Sequence, residues 1–235
     1  YPFNTDGQLV ITCPSTAPTA AVTVNVNNGT EVGGATLEDA IAKAGISADQ
    51  VTSLEFVSGK VTEADLEYIK KNVNQIETFK LNLRDGLTYV DASGADSQVF
   101  PHWIFSEKRS LTTVELGGFT EISGHAFFKA ENLTSVKIDD AKIIGSSAFS
   151  GAKKLTEVNL PNVTEISTWA FSKCKSLVTV NMPKVKKIRE AAFLGSGYLN
   201  ITLPESLVTL SGAVFGIAES YGQPGEEAEF HVVMQ

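Results

Sequence analysis

Between Leu111 and Phe215 the apolar residues of this chain return on a fixed schedule. Leu111, Leu133, Leu155, Leu177 and Leu199 follow one another at intervals of 22 residues. Inside the first unit the apolar positions are Leu111, Val114, Leu116, Ile122, Ala126 and Phe127. The next three repeat them as Leu133-Val136-Ile138-Ile144-Ala148-Phe149, Leu155-Val158-Leu160-Ile166-Ala170-Phe171 and Leu177-Val180-Met182-Ile188-Ala192-Phe193. A tandem period of this length is the signature of a solenoid, in which each unit buries its apolar flank only against its neighbours.

Val114 and Leu116 flank Glu115, and Val136 and Ile138 flank Lys137. This alternation predicts a short strand with one buried face, so each coil contributes one strand to a parallel sheet. Gly117-Gly118, Asp139-Asp140, Pro161-Asn162 and Pro183-Lys184 then occupy matching turn positions. The returning half carries Ile and Ala-Phe inward, the small residue allowing close approach and the ring filling the wide part of the coil. Phe105, Phe127, Phe149, Phe171, Phe193 and Phe215 are expected to stack as one column. A fifth coil continues through Ile201, Leu203, Leu207, Leu210 and Phe215 with a one-residue slip near Pro204.

The unit "LTEVNLPNVTEISTWAFSKCKS", Leu155–Ser176, resembles the BspA-type leucine-rich repeat, L-x-x-V-x-L-P-x-[VL]-x-x-I-x-x-x-A-F-x-x-C-x-x, at every marked position. The resemblance extends from Leu111 to about Phe215. It implies an α/β fold: a leucine-rich-repeat solenoid with a short-stranded parallel sheet and an N-terminal helical cap. It makes Cys174 the repeat's own small buried residue, aligned with Ala130 and Ala152. It also implies a bacterial protein, secreted or held at the cell surface, that contacts host or neighbouring-cell proteins.

Upstream the pattern is degraded. Val51, Leu54 and Phe56, and then Ile76, Phe79 and Leu81, read as strands of two earlier coils, the second closing at Ile104-Phe105 after a long excursion through residues 84–98. Thr62 is placed to cap a helix carrying Ala64, Leu66, Ile69 and Val73. "TLEDAIAKAG" gives a second helix stopped by Gly45, assigned with the strand-like "AVTVNV" to a terminal cap. The domain reading is therefore residues 1–20 as an extended arm or linker, 21–75 as the cap with the first degenerate coil, and 76–235 as the solenoid. Phe230, Val232 and Met234 are expected to form the strand of a last coil. The start at Tyr1, without an initiator Met, reads as a trimmed product, so that any membrane attachment would come through an anchor outside these residues.

Charge narrows the choice of partner. The 19 Lys and Arg against 27 Asp and Glu argue against nucleic acid, whose phosphates require a basic surplus. The 2 cysteines, Cys13 and Cys174, have no ligand-like spacing around them and are expected to be free thiols, and no metal or cofactor is expected. The histidines, His102, His125 and His231, fall in unrelated positions and no catalytic motif is present, so the chain is expected not to be an enzyme.

Candidate binding residues lie on three surfaces. The variable position before Ala-Phe holds His125, Ser147, Trp169 and Ala191. There Trp169 either offers a stacking platform to a sugar or protein, or lies flat over its neighbours. Lys142 with Lys186, Lys153 with Lys175, and the adjacent Lys187 form a basic ridge, open to an acidic glycan or protein or else simply solvated. Glu115, Lys137, Asn159 and Asn181 point outward from the strands on a polar face. The reading is a non-enzymatic recognition module binding protein partners. The alternatives are a carbohydrate-binding module using Trp169 and the ridge, or a passive spacer in a longer surface protein.

Overall fold

The computed structural model describes residues 8–12, 21–25, 36–56, 59–83, 86–197, 199–216 and 231–234. The first elements are β1 (Gln8–Thr12), β2 (Ala21–Asn25), α1 (Leu37–Lys43), β3 (Ser53–Phe56), β4 (Gly59–Thr62), α2 (Glu63–Asn72), β5 (Thr78–Asn82), β6 (Leu87–Val90), β7 (Val99–Phe100) and β8 (Thr113–Gly117). The chain divides into two compact units. One is Tyr1–Gln98 with Thr113–Gly118, and the other is Val99–Thr112 with Phe119–Gln235.

In the first unit β3, β5 and β8 run parallel, with Leu54 beside Phe79 and Phe79 beside Val114, as their apolar alternation requires. Gln8–Thr12, expected to belong to an extended arm, instead pairs antiparallel with both β2 and β3. Its partners lie far along the chain, so nothing in the local pattern announces the pairing. The excursion after β5 contains a further unpredicted strand, β6, parallel to β4. Both helices start where their caps place them. Thr36 and Asp39 form a reciprocal capping box, and Thr62 and Asp65 form another. Buried Asp65 also accepts the Leu37 amide at 2.9 Å, so one carboxylate caps α2 and fixes the start of α1. Gly118 closes the turn after β8 at φ 78°, where an added Cβ would lie 2.7 Å from that of Leu83.

In the second unit each coil adds two strands. The expected ones are β10 (Ser135–Lys137), β12 (Glu157–Asn159), β14 (Thr179–Asn181) and β16 (Asn200–Leu203). His231–Met234, as anticipated, supplies a last one parallel to β16. A second parallel sheet was not anticipated: β7, β9 (Glu121–Ile122), β11 (Ile143–Ile144), β13 (Glu165–Ile166), β15 (Lys187–Ile188) and β17 (Thr209–Leu210) pair in coil order. Each of these strands is two residues long, too short to show an alternating pattern. Ile122, Ile144, Ile166 and Ile188 are buried beneath them, but Leu210, expected to continue that column, is 49% exposed. Val136 departs as well. It is half-buried where Val158 and Val180 are buried, because the ladder through β12, β14 and β16 starts at β12 and does not include β10.

The Phe column is present. Rings 127, 149, 171 and 193 stack with centroids 5.0, 5.3 and 5.5 Å apart and planes within 7°, and Phe105 and Phe215 extend the series at 5.6 and 5.7 Å. Each Phe amide donates to the carbonyl before the next coil's Phe: Phe127 to Ala148, Phe149 to Ala170 and Phe171 to Ala192, all at 2.8 Å. Ala therefore serves as the position where neighbouring backbones meet. Cys174 is a buried free thiol whose Sγ donates to the Phe149 carbonyl at 3.2 Å, and burial pushes its pKa up to about 12. Cys13 lies outside the described residues.

Phe149→Ala removes a ring buried between two others and is expected to lower stability by about 3–5 kcal/mol. Lys137→Ala, on an exposed strand position, should change it by less than about 0.5 kcal/mol in the same urea titration. A Phe149→Ala transition superimposable on wild type would contradict the stacked column.

Candidate functional site

The residue two before each Phe of the column, which precedes Ala-Phe in four coils, Ile104-Phe105 in one and Val214-Phe215 in another, has a left-handed backbone. Trp103, His125, Ser147, Trp169, Ala191 and Ala213 have φ of 63°, 59°, 56°, 60°, 54° and 52°. The conformation aims each amide at the next coil: His125 donates to Ser146, Ser147 to Thr168 and Trp169 to Glu190. A bulky side chain is an outlier in this region of backbone space. Two of the six are nevertheless tryptophans, and these are exposed, Trp103 by 44% and Trp169 by 36%. Variation along the column does not imply exposure throughout, since Ala191 is buried.

Trp103 is the residue that the sequence reading missed. Its ring stacks on His125 at 3.9 Å between centroids and 10° between planes. Phe128 meets both rings edge-on, at 6.2 Å from Trp103 and 5.5 Å from His125. Lys129 Nζ stands 5.0 Å from the Phe128 centroid and pairs with Glu107 at 3.1 Å. His102 Nδ1 lies 3.0 Å from the Gly124 carbonyl oxygen. Histidines 102 and 125, which looked unrelated, are thus neighbours one coil apart. Desolvation, reinforced by His102, holds the His125 pKa below the ordinary histidine value, so its ring is neutral at pH 7.

The lysine ridge is less basic than the sequence implied. Lys153 pairs with Glu131 at 2.9 Å, and Lys187 with Glu165 at 3.7 Å, beside Arg189 on the same carboxylate at 2.9 Å. The Lys153 hydrogen bond holds the Glu131 carboxyl below its usual pKa. Lys142, Lys175 and Lys186 are exposed. On the strand side Asn181 donates to Asn159 at 2.7 Å, Lys137 is exposed, and Glu115 pairs with Lys80 at 3.7 Å within the first unit. Where the ladder is interrupted between β10 and β12, a polar groove of about 340 Å³ opens, lined by Val136, Glu157, Val158, Asn159, Thr179 and Asn181 among others. Of the candidate residues in the second unit, Asn159 and Asn181 are brought together and line this groove, whereas Lys153 and Lys187 are each tied to a carboxylate of the preceding coil. Among the described residues no group of three or more His, Cys, Asp or Glu converges to hold a metal ion. No helix among them is long and apolar enough to cross a membrane.

Residues 65–143 and 120–220, more than half of the chain, match the BspA type leucine rich repeat region, in six copies. The chain belongs to the BspA-type leucine-rich-repeat family. Two solved structures are similar to this BspA-type array. A leucine rich cell surface protein from Faecalibacterium prausnitzii shares 21% identity, with 72% of this chain and 52% of that one covered at a TM-score of 0.47. A leucine-rich repeat protein from Bacteroides ovatus shares 18%, with 80% and 52% covered at 0.43. The chain spans about half the length of each. No curated protein matches it.

The signal for Trp103 was present: it lies 22 residues before His125, in a coil where Ile104-Phe105 stands for Ala-Phe. Extending the column one coil upstream finds it. In a Trp169→Phe variant Trp103 is the remaining one of the 2 tryptophans, and an imidazolium in contact with an indole quenches its emission. Emission is expected to fall on acidification with a midpoint below 6.5, since His125 resists protonation beyond the ordinary value. His125→Gln should abolish the transition, and a midpoint above 6.5 would contradict the desolvation of His125 within the stack.

Proposed function

We propose that this BspA-type array is a non-enzymatic recognition module of a secreted or surface-held bacterial protein, and that it binds protein partners through the solenoid surface. The observation that carries this reading is the column before Ala-Phe. Its backbone is the same in six coils, while its side chains run from methyl groups to two exposed indoles. A constant scaffold with interchangeable outward chemistry is the arrangement of a binding surface. Chemistry at a fixed point would need nucleophile, base and orienting group within reach of one another. The location outside the cell follows from what the family implies, with bacterial members meeting host or neighbouring-cell proteins there.

Three sets of substitutions separate the surfaces: Trp103→Ala with Trp169→Ala, Lys142→Ala with Lys186→Ala, and Lys137→Ala with Asn159→Ala and Asn181→Ala. Each is measured against the same panel of immobilised extracellular proteins. Exposed aromatic anchors contribute most to such contacts, so the tryptophan pair should weaken binding by about tenfold or more. The lysine pair should mainly make binding less sensitive to salt. Equal binding by wild type and all three variants, or turnover of a substrate in broad hydrolase and transferase screens, would overturn the proposal.

A further inference from the structure

The Trp103 cluster narrows the chemistry of the partner. An indole in a left-handed backbone carries strain, and its exposed part forgoes burial. The fold does not demand it, because Ser147, Ala191 and Ala213 make the same turn. Nor is the ring free to protrude as a knob into a partner's pocket. It lies flat on His125, with Phe128 set across both rings in T-shaped contact. What it presents is a rigid aromatic face.

A rigid, exposed π-face is complemented by a flat array of polarised C–H bonds. The chair form of a pyranose supplies that array on one face and hydroxyls around its rim. The rim of the cluster has matching groups. Glu107 accepts hydrogen bonds and Lys129 donates them, the two held together at 3.1 Å with the ammonium 5.0 Å from the Phe128 centroid. The ammonium and the carboxylate at this rim are paired with each other, so the rim offers hydrogen-bonding groups of both kinds to the hydroxyls of a neutral sugar. We propose that the Trp103–His125–Phe128 cluster, with Glu107 and Lys129 at its rim, binds a neutral pyranose unit, a hexose or N-acetylhexosamine, within an oligosaccharide. The inference rests on the reading of the chain as a recognition module and assigns the sugar of a glycosylated partner, or a free glycan, as what this patch contacts.

The test uses the full chain on an array of neutral gluco-, galacto-, manno- and N-acetylglucosamine oligosaccharides, beside sulfated and sialylated ones. Neutral spots are expected to bind, with affinity weakened about tenfold or more by Trp103→Ala and severalfold by Glu107→Gln. Trp103→Phe, which keeps a ring on His125, should retain part of the binding. If Trp103→Ala fails to fold, the Phe and Gln variants carry the comparison. In the Trp169→Phe background the bound oligosaccharide should shift the emission of Trp103 to shorter wavelength. The proposal is overturned if no neutral oligosaccharide binds, if binding is unchanged in the Trp103 and Glu107 variants, or if only anionic glycans bind and salt removes them. Protein binding that survives enzymatic deglycosylation of the partner but falls with Trp103→Ala would sink the sugar assignment and leave the recognition role standing. Loss of both would remove the two together.

Discussion

Everything in the repeat region depends on one contact made again in each coil, where the Phe amide donates to the carbonyl that precedes the next Phe. At 2.8 Å this bond sets the rise between coils, and the rings follow at 5.0–5.6 Å from Phe105 through Phe193. Such stacked pairs each contribute about 0.5–1.5 kcal/mol beyond the area they bury. The left-handed turn before Ala-Phe is a consequence, because only that backbone delivers the next amide to the neighbouring coil. The 22-residue spacing is therefore a geometric requirement, and residues outside these contacts can vary without disturbing it.

Much of this was legible from apolar periodicity. The front strands and the inward Ile and Ala-Phe positions follow from local patterns whose partners are one period away, and both capped helices from caps three residues apart. What was not legible has physical reasons. The return strands, such as Glu121–Ile122, are too short to alternate. Gln8–Thr12 pairs with Phe56 and its neighbours, a long-range choice that no local pattern encodes. The break between β10 and β12 leaves Val136 half-buried although its sequence is as regular as that of Val158. At the candidate site Trp169 was identified, but Trp103 was not, because Ile104 interrupts the Ala-Phe signature that marks the column.

The surfaces differ in what they ask of a partner. The lysines gain partners from the preceding coil, Glu131 for Lys153 and Glu165 for Lys187, and exposed pairs of this kind contribute little to stability. Their effect is to moderate the ridge's field, which turns a steering surface into a mixed one. The strand face presents polar ladders such as Asn159–Asn181 and a groove with hydrogen-bonding walls. Against these, the Trp103 cluster concentrates aromatic area and holds its rings against one another, which restricts their side-chain freedom.

The central claim is that coils are interchangeable in steps of 22 residues. It is tested most directly by deleting Leu155–Ser176, which joins Lys154 to Leu177 and preserves the register of every Phe on either side. Followed by circular dichroism and urea titration, that deletion is expected to give a cooperative, folded protein with a smaller m-value in proportion to the lost surface. Deleting Leu155–Glu165, half a coil, should abolish the cooperative transition. An unfolded 22-residue deletion, or a half-coil deletion that folds equally well, would contradict the account.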